Sequence, residues 1–286
     1  MMPRVCILTD STAQFPAPMY PGHELVSVIP LHVEMNEQVY TDGKDIKTAS
    51  LPSSARTPMG PKSLPPTADE FRMAFTALSK RYSEVIAILI SSHLSPSVGV
   101  AQEAAATVKG PASIHVIDSQ TTAVGLGLLV QAAAEAALEN EGSARINRLV
   151  RGLVPRIYTV FCVQSLSYLY QSGHLDPAQA IVGEMLGVTP FFILENGRLV
   201  PIQKIRSPRH LVDILHEFIS EFGHLKHIAI VQGVPPFEQE ARNLRERING
   251  DFPGTTFSEH TLGTALATIL GPRSMGVVAM ESCNDY

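Results

Sequence analysis

The sequence predicts an α/β protein of two domains, with a mainly parallel sheet flanked by helices on both faces in the first domain and a mixed sheet with helices in the second. Three apolar, strand-like runs in the first half, Val5–Leu8, Val85–Ile90 and Ile114–Ile117, each stop at a cluster of small hydroxyl and acidic residues. Helix-like segments follow the second and third runs, and such alternation is typical of a parallel sheet. In the second half, Asn196-Gly197 lies between two apolar runs. This pattern predicts a β-hairpin, and a hairpin beside βαβ elements favours a mixed sheet.

Local signals place the other elements of the first half. The segment Pro52–Pro66 is rich in Pro and Ser and is predicted to be a loop. Thr67 and Glu70 form a capping-box pattern, so a helix is expected to start there. Ala123–Leu138 is predicted as a strongly apolar helix, and Ser143 is expected to cap the next helix, which runs to Val154.

Pro155 interrupts the helical pattern, and we place the domain boundary there, between an N-terminal domain of residues 1–155 and a C-terminal domain of residues 156–286. Beyond it, apolar runs predict strands, and segments with helical spacing predict helices. The predicted strands are Tyr158–Val163, Val188–Leu194, Leu199–Ile205, Ile228–Val231 and Gly276–Met280, and the predicted helices are Leu166–Tyr170, Pro208–Phe222 and Phe237–Ile248.

Composition narrows the class of protein. The 286 residues carry a net charge of −5, which gives no electrostatic attraction to nucleic acid or to an anionic membrane. Cys6, Cys162 and Cys283 are far apart and odd in number, as expected of buried thiols in a reducing compartment. No signal-peptide pattern opens the sequence, and Ala123–Leu138 is too short for a confident membrane span. A cytoplasmic protein without a cofactor is therefore expected.

The hydroxyl clusters are the strongest functional signal. Ligands of open α/β sheets bind outside the carboxyl ends of the strands, and hydroxyls near helix N-termini suit an anionic head group. Thr9–Thr12 is better explained by turn chemistry, because Asp, Ser and Thr satisfy local backbone groups. Ser91 and Ser92 are more informative, since they directly follow six apolar residues.

Three other patterns favour structural roles. Gly125-Leu-Gly127 lacks the third glycine of a nucleotide loop and lies in a helical pattern, so helix packing is favoured. His224 and His227 have the spacing of one helix face, but nothing completes a zinc site, and a surface histidine cluster without metal is predicted. Met185-Leu186 is expected to lie in the core.

Two other functional classes remain open at this point. A hydrolase or transferase would use Ser91 or Ser92 as nucleophile, supported by Asp10 or Asp118, and would need a histidine base within hydrogen-bond reach of the serine. Alternatively, the same strand ends would bind a small phosphorylated molecule in a short, polar pocket.

Taken together, the motifs resemble the DegV family of bacterial fatty-acid-binding proteins. Their number and their order along the chain carry this resemblance. The matching segments are Ile7–Thr12, Ile29–Val33, Tyr40–Ile46, Ile90–Ser95, Ile117–Ser119 with Gly125–Gly127, Leu166–Leu169 with Gly173, and Gly271–Pro272 with Gly276.

The resemblance implies a two-domain DegV-like fold with a long-chain fatty acid buried between the domains and no catalytic chemistry of its own. Some members of the family are acyl-carrier subunits of fatty acid kinase, so a kinase is the implied partner. Ser63, Ser91, Ser92 and Ser95 are the implied contacts of the carboxylate, held near the strand ends.

The sequence departs from the family pattern at the implied head-group site. Ser63 keeps a hydroxyl where the family has Thr-Ser-Gln-Pro, but Leu64 and Pro65 lose polar groups. Ile269 stands where the family has a histidine, and Arg273, four residues on, is the candidate replacement.

Two further basic residues are candidates for supporting the head group or contacting a partner. His174 stands where the family has the arginine of Gly-Gly-Arg, and Arg206 matches the family's arginine after the hairpin. We expect lipid binding to survive these changes and activity as a kinase carrier to be weak.

Overall fold

The computed structural model describes residues 4–56 and 60–282. Its strands are β1 (Val5–Asp10), β2 (Val26–Ile29), β3 (His32–Met35), β4 (Gln38–Thr41), β5 (Lys62–Leu64), β6 (Glu84–Leu89), β7 (Ser113–Asp118), β8 (Ile157–Val163), β9 (Thr189–Glu195), β10 (Arg198–Ile205), β11 (Leu225–Gln232), β12 (Thr256–Thr261) and β13 (Ser274–Glu281).

The helices alternate with these strands in most of the chain. They are α1 (Ala68–Ser79), α2 (Ser97–Thr107), α3 (Ala123–Leu138), α4 (Ser143–Leu153), α5 (Leu166–Gln171), α6 (Pro177–Met185), α7 (Pro208–Ser220), α8 (Glu238–Asp251) and α9 (Thr264–Leu270). The sequence analysis missed α6, α9, β2 and β12.

The first sheet is parallel throughout and has the order β2-β1-β6-β7. Side chains of a strand point alternately to its two faces. Accordingly, Cys6 and Leu8 pack with Phe71 and Phe75 of α1, whereas Ile7 points to the face covered by α3. The predicted parallel sheet with helices on both faces is confirmed.

The second sheet has the order β10-β9-β8-β13-β11-β12 and is mixed, because only β11 and β12 are parallel neighbours. The predicted hairpin is confirmed as β9 and β10. Asn196 and Gly197 have φ angles of 49° and 80° at its turn, the left-handed values that a two-residue hairpin turn requires. Helices α7 and α8 cover one face of this sheet.

A third sheet, with the antiparallel order β4-β3-β5, was not expected. The prediction that all of Pro52–Pro66 is loop is wrong at Lys62–Leu64, which forms β5 and pairs with β3. Pairing with a distant strand satisfies the backbone of this segment, and such tertiary pairing overrides the local signal of its prolines.

The starts of two helices test the capping predictions. Thr67 accepts a hydrogen bond from the Glu70 backbone N–H, and the Glu70 carboxylate accepts one from the Thr67 N–H, so the capping box is confirmed. Ser143 is not a cap. It is the first helical residue of α4, and its N–H donates to the Glu84 carboxylate at 2.7 Å.

Helix α3 lies between the two large sheets and contacts strands of both. This position explains why most of the helix is apolar, since its faces toward the two sheets must be buried, while Glu135 lies on the exposed side. A Cβ at Gly127 would collide with the carbonyl oxygen of Gln14, which confirms that Gly127 serves close packing. The chain passes from the first sheet to the second between Leu153 and Ile157.

Two side-chain placements correct the sequence analysis. His227 lies on β11, not on a helix, and is buried, with its ring nitrogens 2.7 Å from Thr256 Oγ1 and 2.8 Å from Ser258 Oγ. Met185 and Leu186 are exposed rather than in the core, at 81% and 72% of their surface. Within α6 only Ala180 is buried, and the other large apolar side chains of this helix are exposed to solvent.

Cys6 and Cys162 are buried free thiols, and burial raises the pKa of each to about 12. Cys283 lies outside the described residues. Across residues 4–56 and 60–282, no helix combines the length and the apolar character needed to cross a membrane.

Candidate functional site

Ser91, the first residue after the apolar run of β6, links the two halves of the chain. Its Oγ donates to the Gly197 carbonyl of the hairpin turn at 2.8 Å and accepts from the His93 N–H at 3.2 Å. The residue is fully buried. Its donor is therefore engaged inside the protein, and a ligand would have to replace Gly197 as the acceptor.

Ser92 and Ser95 also have partners within the chain. Ser92 is exposed, and both its hydroxyl and its backbone N–H donate to the Asp118 carboxylate. Ser95 is buried, with its Oγ 2.9 Å from Ser97 Oγ. These hydroxyls order the strand ends, and their predicted contact with a ligand stays a prediction.

Ser63 is different, because its buried Oγ has no hydrogen-bond partner among the described residues. Ser63 lies on β5 directly opposite Val33 of β3. Opposite residues of an antiparallel pair point to the same face, and the Val33 side chain is fully buried in the core. The Ser63 hydroxyl therefore points toward that core.

His174, just after α5, provides a second polar atom of this kind. Its backbone N–H donates to the Leu169 carbonyl, while its Nε2 is buried without a partner among the described residues. Burial lowers the pKa of this imidazole, so the ring is neutral near pH 7. A neutral imidazole offers a ligand one N–H donor or one nitrogen lone pair.

Helix α9 connects these two positions. It packs against β5 on one side and α5 on another, and every one of its residues is buried. Ile269 lies on this helix with 2% of its surface exposed. The position of the family's missing histidine is therefore inside the protein, on the helix that contacts β5, which carries Ser63, and α5, which ends shortly before His174.

The core around α9 is built by both halves of the chain. Its members include Leu31 and Leu94 from the first half and Leu169, Leu194 and Leu266 from the second. Apolar side chains from two domains, with few polar atoms among them, are typical of a site for an apolar ligand.

Two buried carboxylates hold the strand ends around this core. Asp10 accepts from the Thr12 N–H and hydroxyl at 2.9 and 2.6 Å and from the Ile90 N–H at 2.7 Å. Asp42 accepts from Ser11 Oγ at 2.7 Å and from the Ala265 N–H of α9 at 3.1 Å. Burial raises the pKa of both acids, against the lowering effect of these donors. Turn chemistry thus explains Asp10 and Thr12, whereas Ser11 bonds to the distant Asp42 and Leu31, and the buried Thr9 hydroxyl has no partner among the described residues.

The two predicted arginines, unlike His174, are not buried. Arg273 and Arg206 are both exposed. The Arg206 backbone N–H donates to His210 Nδ1 at the start of α7, which fixes the backbone there and leaves the guanidinium at the surface. Because Arg273 is exposed, its position does not support the predicted role as a replacement for the family's histidine.

A segment before β5 covers the α5–α6 hairpin. The Tyr168 hydroxyl donates to the Pro52 carbonyl, and Arg56 forms an ion pair with Glu184 of α6. The sequence analysis could not predict these two contacts, because each joins residues that are more than a hundred positions apart along the chain.

The serine-nucleophile alternative lacks its base. Neither the Ser91 nor the Ser92 hydroxyl meets a histidine ring among the described residues, and the ring of His93 instead accepts from Arg198 Nε at 3.2 Å. A different serine, Ser258, contacts the His227 ring, but burial lowers the pKa of His227 to about 4. That value makes it a poor general base at neutral pH.

The fold and the site define a two-part α/β protein whose halves share an apolar core. Of the six buried polar atoms without a partner among the described residues, Ser63 Oγ lies on β5 and His174 Nε2 just beyond α5, and both of these elements pack against α9. The other four are Thr9 Oγ1, Gln14 Oε1, Ser79 Oγ and Thr122 Oγ1. A model of the DegV family, described as uncharacterised proteins, matches residues 4–282. The chain belongs to the DegV family.

Relatives of known sequence or structure support this family assignment. A DegV domain-containing protein of Caldanaerobacter subterraneus is 28% identical, over 98% of this chain and 100% of the relative. The solved structure of a fatty-acid-binding DegV family protein from Thermus thermophilus matches with a TM-score of 0.84 and 24% identity, over 98% and 100% of the two chains. The Streptococcus pneumoniae fatty acid kinase B3 protein loaded with linoleic acid matches with a TM-score of 0.81 and 19% identity, over 97% and 99%. The chain thus has the DegV fold.

We predict that Ser91→Ala lowers the free energy of unfolding by about 1–2 kcal/mol, because the buried Gly197 carbonyl loses its donor. Ser92→Ala, at the exposed neighbour, is the matched control and should cost less than about 0.5 kcal/mol. Urea unfolding of both variants measures this difference. Equal losses would contradict the inter-half hydrogen bond.

Proposed function

We propose that this protein binds a long-chain fatty acid, with the acyl chain in the core shared by its two halves and the head group at Ser63 and His174. One observation carries the proposal: Ser63 Oγ on β5 and His174 Nε2 just beyond α5 are buried without partners among the described residues, and both β5 and α5 pack against α9 beside a mainly apolar core. Buried polar groups are nearly always hydrogen-bonded, so we expect a bound ligand to supply the missing partners of these two atoms. The fatty acids in the structures of family members support this ligand class.

Burial of the acyl chain supplies most of the affinity. Each buried methylene contributes about 0.8 kcal/mol, so a sixteen-carbon chain offers on the order of 11 kcal/mol before association costs of several kcal/mol. Contacts at the head group mainly fix the orientation of the ligand. A head-group site that differs from the family pattern is therefore compatible with tight lipid binding.

The protein acts in this proposal as a carrier rather than as an enzyme. The strand-end serines are hydrogen-bonded within the chain and lack a histidine base, which argues against the hydrolase alternative. A fatty acid kinase is the proposed partner, by analogy with the Streptococcus pneumoniae protein of the same fold. A carrier of this kind presents the bound head group to the kinase for phosphorylation.

We predict that Ser63→Ala weakens binding of hexadecanoic acid to the delipidated protein about 5- to 30-fold, because the head group loses one buried hydrogen bond worth about 1–2 kcal/mol. Ser79→Ala is the matched control, since Ser79 also has a buried Oγ without a partner among the described residues but lies at the end of α1. Isothermal titration calorimetry of the two variants measures the effect. Equal affinities would remove Ser63 from the head-group site.

We further predict weak or no turnover with a bacterial fatty acid kinase, because Ile269 cannot donate the hydrogen bond of the family's histidine. The assay combines lipid-loaded protein, kinase and ATP, and scores acyl-phosphate. Ile269→His should raise the rate, and Ile269→Leu, which stays apolar, should not. Wild-type turnover equal to that of a family member with the histidine would show that this position does not limit the carrier.

A further inference from the structure

A chain of hydrogen bonds joins β11 to β12, an edge strand of the second sheet, and it contains two histidines. The buried His227 of β11 lies 2.7 Å from Thr256 Oγ1 through its Nδ1 and 2.8 Å from Ser258 Oγ through its Nε2. His260 Nε2 lies 2.8 Å from the same Ser258 Oγ. Alternate residues of a strand share a face, so β12 presents Thr256, Ser258 and His260 together. Two imidazole rings therefore converge on one serine hydroxyl.

The hydrogens of this chain have one arrangement when both rings are neutral. The Thr256 hydroxyl donates to the Lys226 carbonyl at 2.7 Å, so its oxygen accepts from His227 Nδ1–H. A neutral imidazole carries one N–H, and His227 Nε2 therefore accepts from the Ser258 hydroxyl. Because Ser258 has only one hydrogen to donate, its contact with His260 requires an N–H on His260 Nε2. Each contact of the chain then has one donor and one acceptor.

Protonation of the rings breaks this arrangement. A proton added to His227 enters at Nε2, so both rings then direct an N–H at Ser258 Oγ and the serine hydrogen loses its acceptor. Transfer of the His260 proton from Nε2 to Nδ1 restores an acceptor for one added proton but not for two. Among the described residues neither ring has a carboxylate within ion-pair distance, unlike His216, which meets Asp251. The added charge is therefore left unpaired between the two strands, which is costly in a buried place.

The described residues around His227 supply no counter-ion. The ring lines a cavity of about 380 Å³ between the loop after β1, helix α3 and the second sheet, and the other titratable groups of its walls are Tyr20, Glu135 and Lys226. Burial raises the pKa of Tyr20 to about 12, so its hydroxyl stays neutral. Glu135 is exposed on α3 and makes no hydrogen bond with the ring. Lys226, the preceding residue of β11, adds positive charge.

The pKa values of both rings agree with this geometry. Burial, together with the neighbouring His260 and Lys226, lowers the pKa of His227 to about 4, and burial lowers the pKa of His260. Glu259 lies between Ser258 and His260 in sequence but points to the other face of β12, where it pairs with Arg245. Both rings are therefore neutral near pH 7.

The position of β12 connects this chain to α9. Within the described residues β12 pairs with β11 alone, so repulsion at Ser258 acts on a strand that has one neighbour. Just beyond the strand, the Leu262 carbonyl accepts from Thr48 Oγ1 at 2.7 Å, and α9 begins at Thr264. Separation of β12 from β11 would therefore loosen the start of the helix that packs against β5 and α5.

We propose that the His227–Ser258–His260 chain is an acid-sensitive switch: protonation of its histidines releases β12 from β11 and loosens the start of α9. The inference goes beyond the proposed function, because it does not depend on which ligand the shared core holds. It assigns to two histidines outside the candidate site the task of coupling pH to the helix that walls the core.

Hydrogen–deuterium exchange of the full-length protein tests the local opening. Exchange is measured at about pH 7.5 and about pH 5.0 and corrected for the pH dependence of exchange in an unfolded peptide. We expect protection of the backbone N–H groups of Thr256–Thr261 to fall about tenfold or more at the lower pH. The protection of β1, in the first sheet, should change less than about twofold.

Variants assign the effect to the two rings. Glutamine both donates and accepts hydrogen bonds but does not titrate, so His227→Gln and, independently, His260→Gln should each reduce the acid-induced loss of protection. His224→Gln is the matched control, because His224 is exposed in the loop just before β11. This control should keep the wild-type response.

Urea unfolding gives a second measurement with a defined sign. The pKa of His227 is about 4 in the folded protein and about 6.5 in the unfolded chain, so the unfolded chain binds more protons and stability is lost as the pH falls below about 6.5. This residue alone should raise the unfolding equilibrium constant about 25-fold between pH 7.5 and pH 5.0. His227→Gln should remove that part of the pH dependence. The buried Asp10 and Asp42 titrate in every variant, so their contribution cancels in the comparison.

Three results would overturn the switch. The first is equal protection of Thr256–Thr261 at the two pH values in the wild-type protein. The second is a wild-type response in both His227→Gln and His260→Gln. The third is a loss of the response in His224→Gln as large as in these two variants. If His227→Gln does not fold, His260→Gln, at a less buried position, carries the same comparison.

Discussion

The hydrogen bonds of Asp42 are the interaction on which the site depends. This buried carboxylate follows β4 and holds both Ser11, after β1, and the first turn of α9, more than 220 residues further along the chain. The contact fixes α9 against the small sheet, where it packs on β5. Helix α9, from the second half of the chain, thereby forms one side of the core that the two halves share. Ser63 lies on β5, the strand that packs against this helix.

This arrangement separates affinity from recognition. The core contributes apolar surface from both halves, which favours any long acyl chain in proportion to the methylenes it buries. In the proposed function, recognition of the head group depends on few atoms, chiefly Ser63 Oγ and His174 Nε2. Because so few groups are involved, we expect a single difference at this site, such as isoleucine at position 269, to change carrier activity while the fold and the apolar core persist.

Short-range sequence signals predicted much of the fold, but they did not predict α9 and β5, the two elements that complete the candidate site. The hairpin at Asn196-Gly197 and the helix start at Thr67 follow from backbone preferences of a few adjacent residues. Helix α9 is a seven-residue apolar run, too short for its period to show, and β5 forms only because β3 pairs with it. Ser91 satisfied the sequence pattern of a ligand contact, but a pattern does not reveal that the hydroxyl is bonded to Gly197, 106 residues away. Ser63 was found through the family resemblance and not through any local signal.

The most direct test of the account is to identify the lipid that the protein carries. Protein purified from a bacterial host is denatured and extracted with organic solvent, and the extract is analysed by mass spectrometry. The account predicts close to one lipid per chain, with a single acyl chain of about sixteen to eighteen carbons, because longer chains bury more methylenes. An extract that contained only nucleotide or sugar phosphate would contradict the claim that the core between the two halves holds an acyl chain.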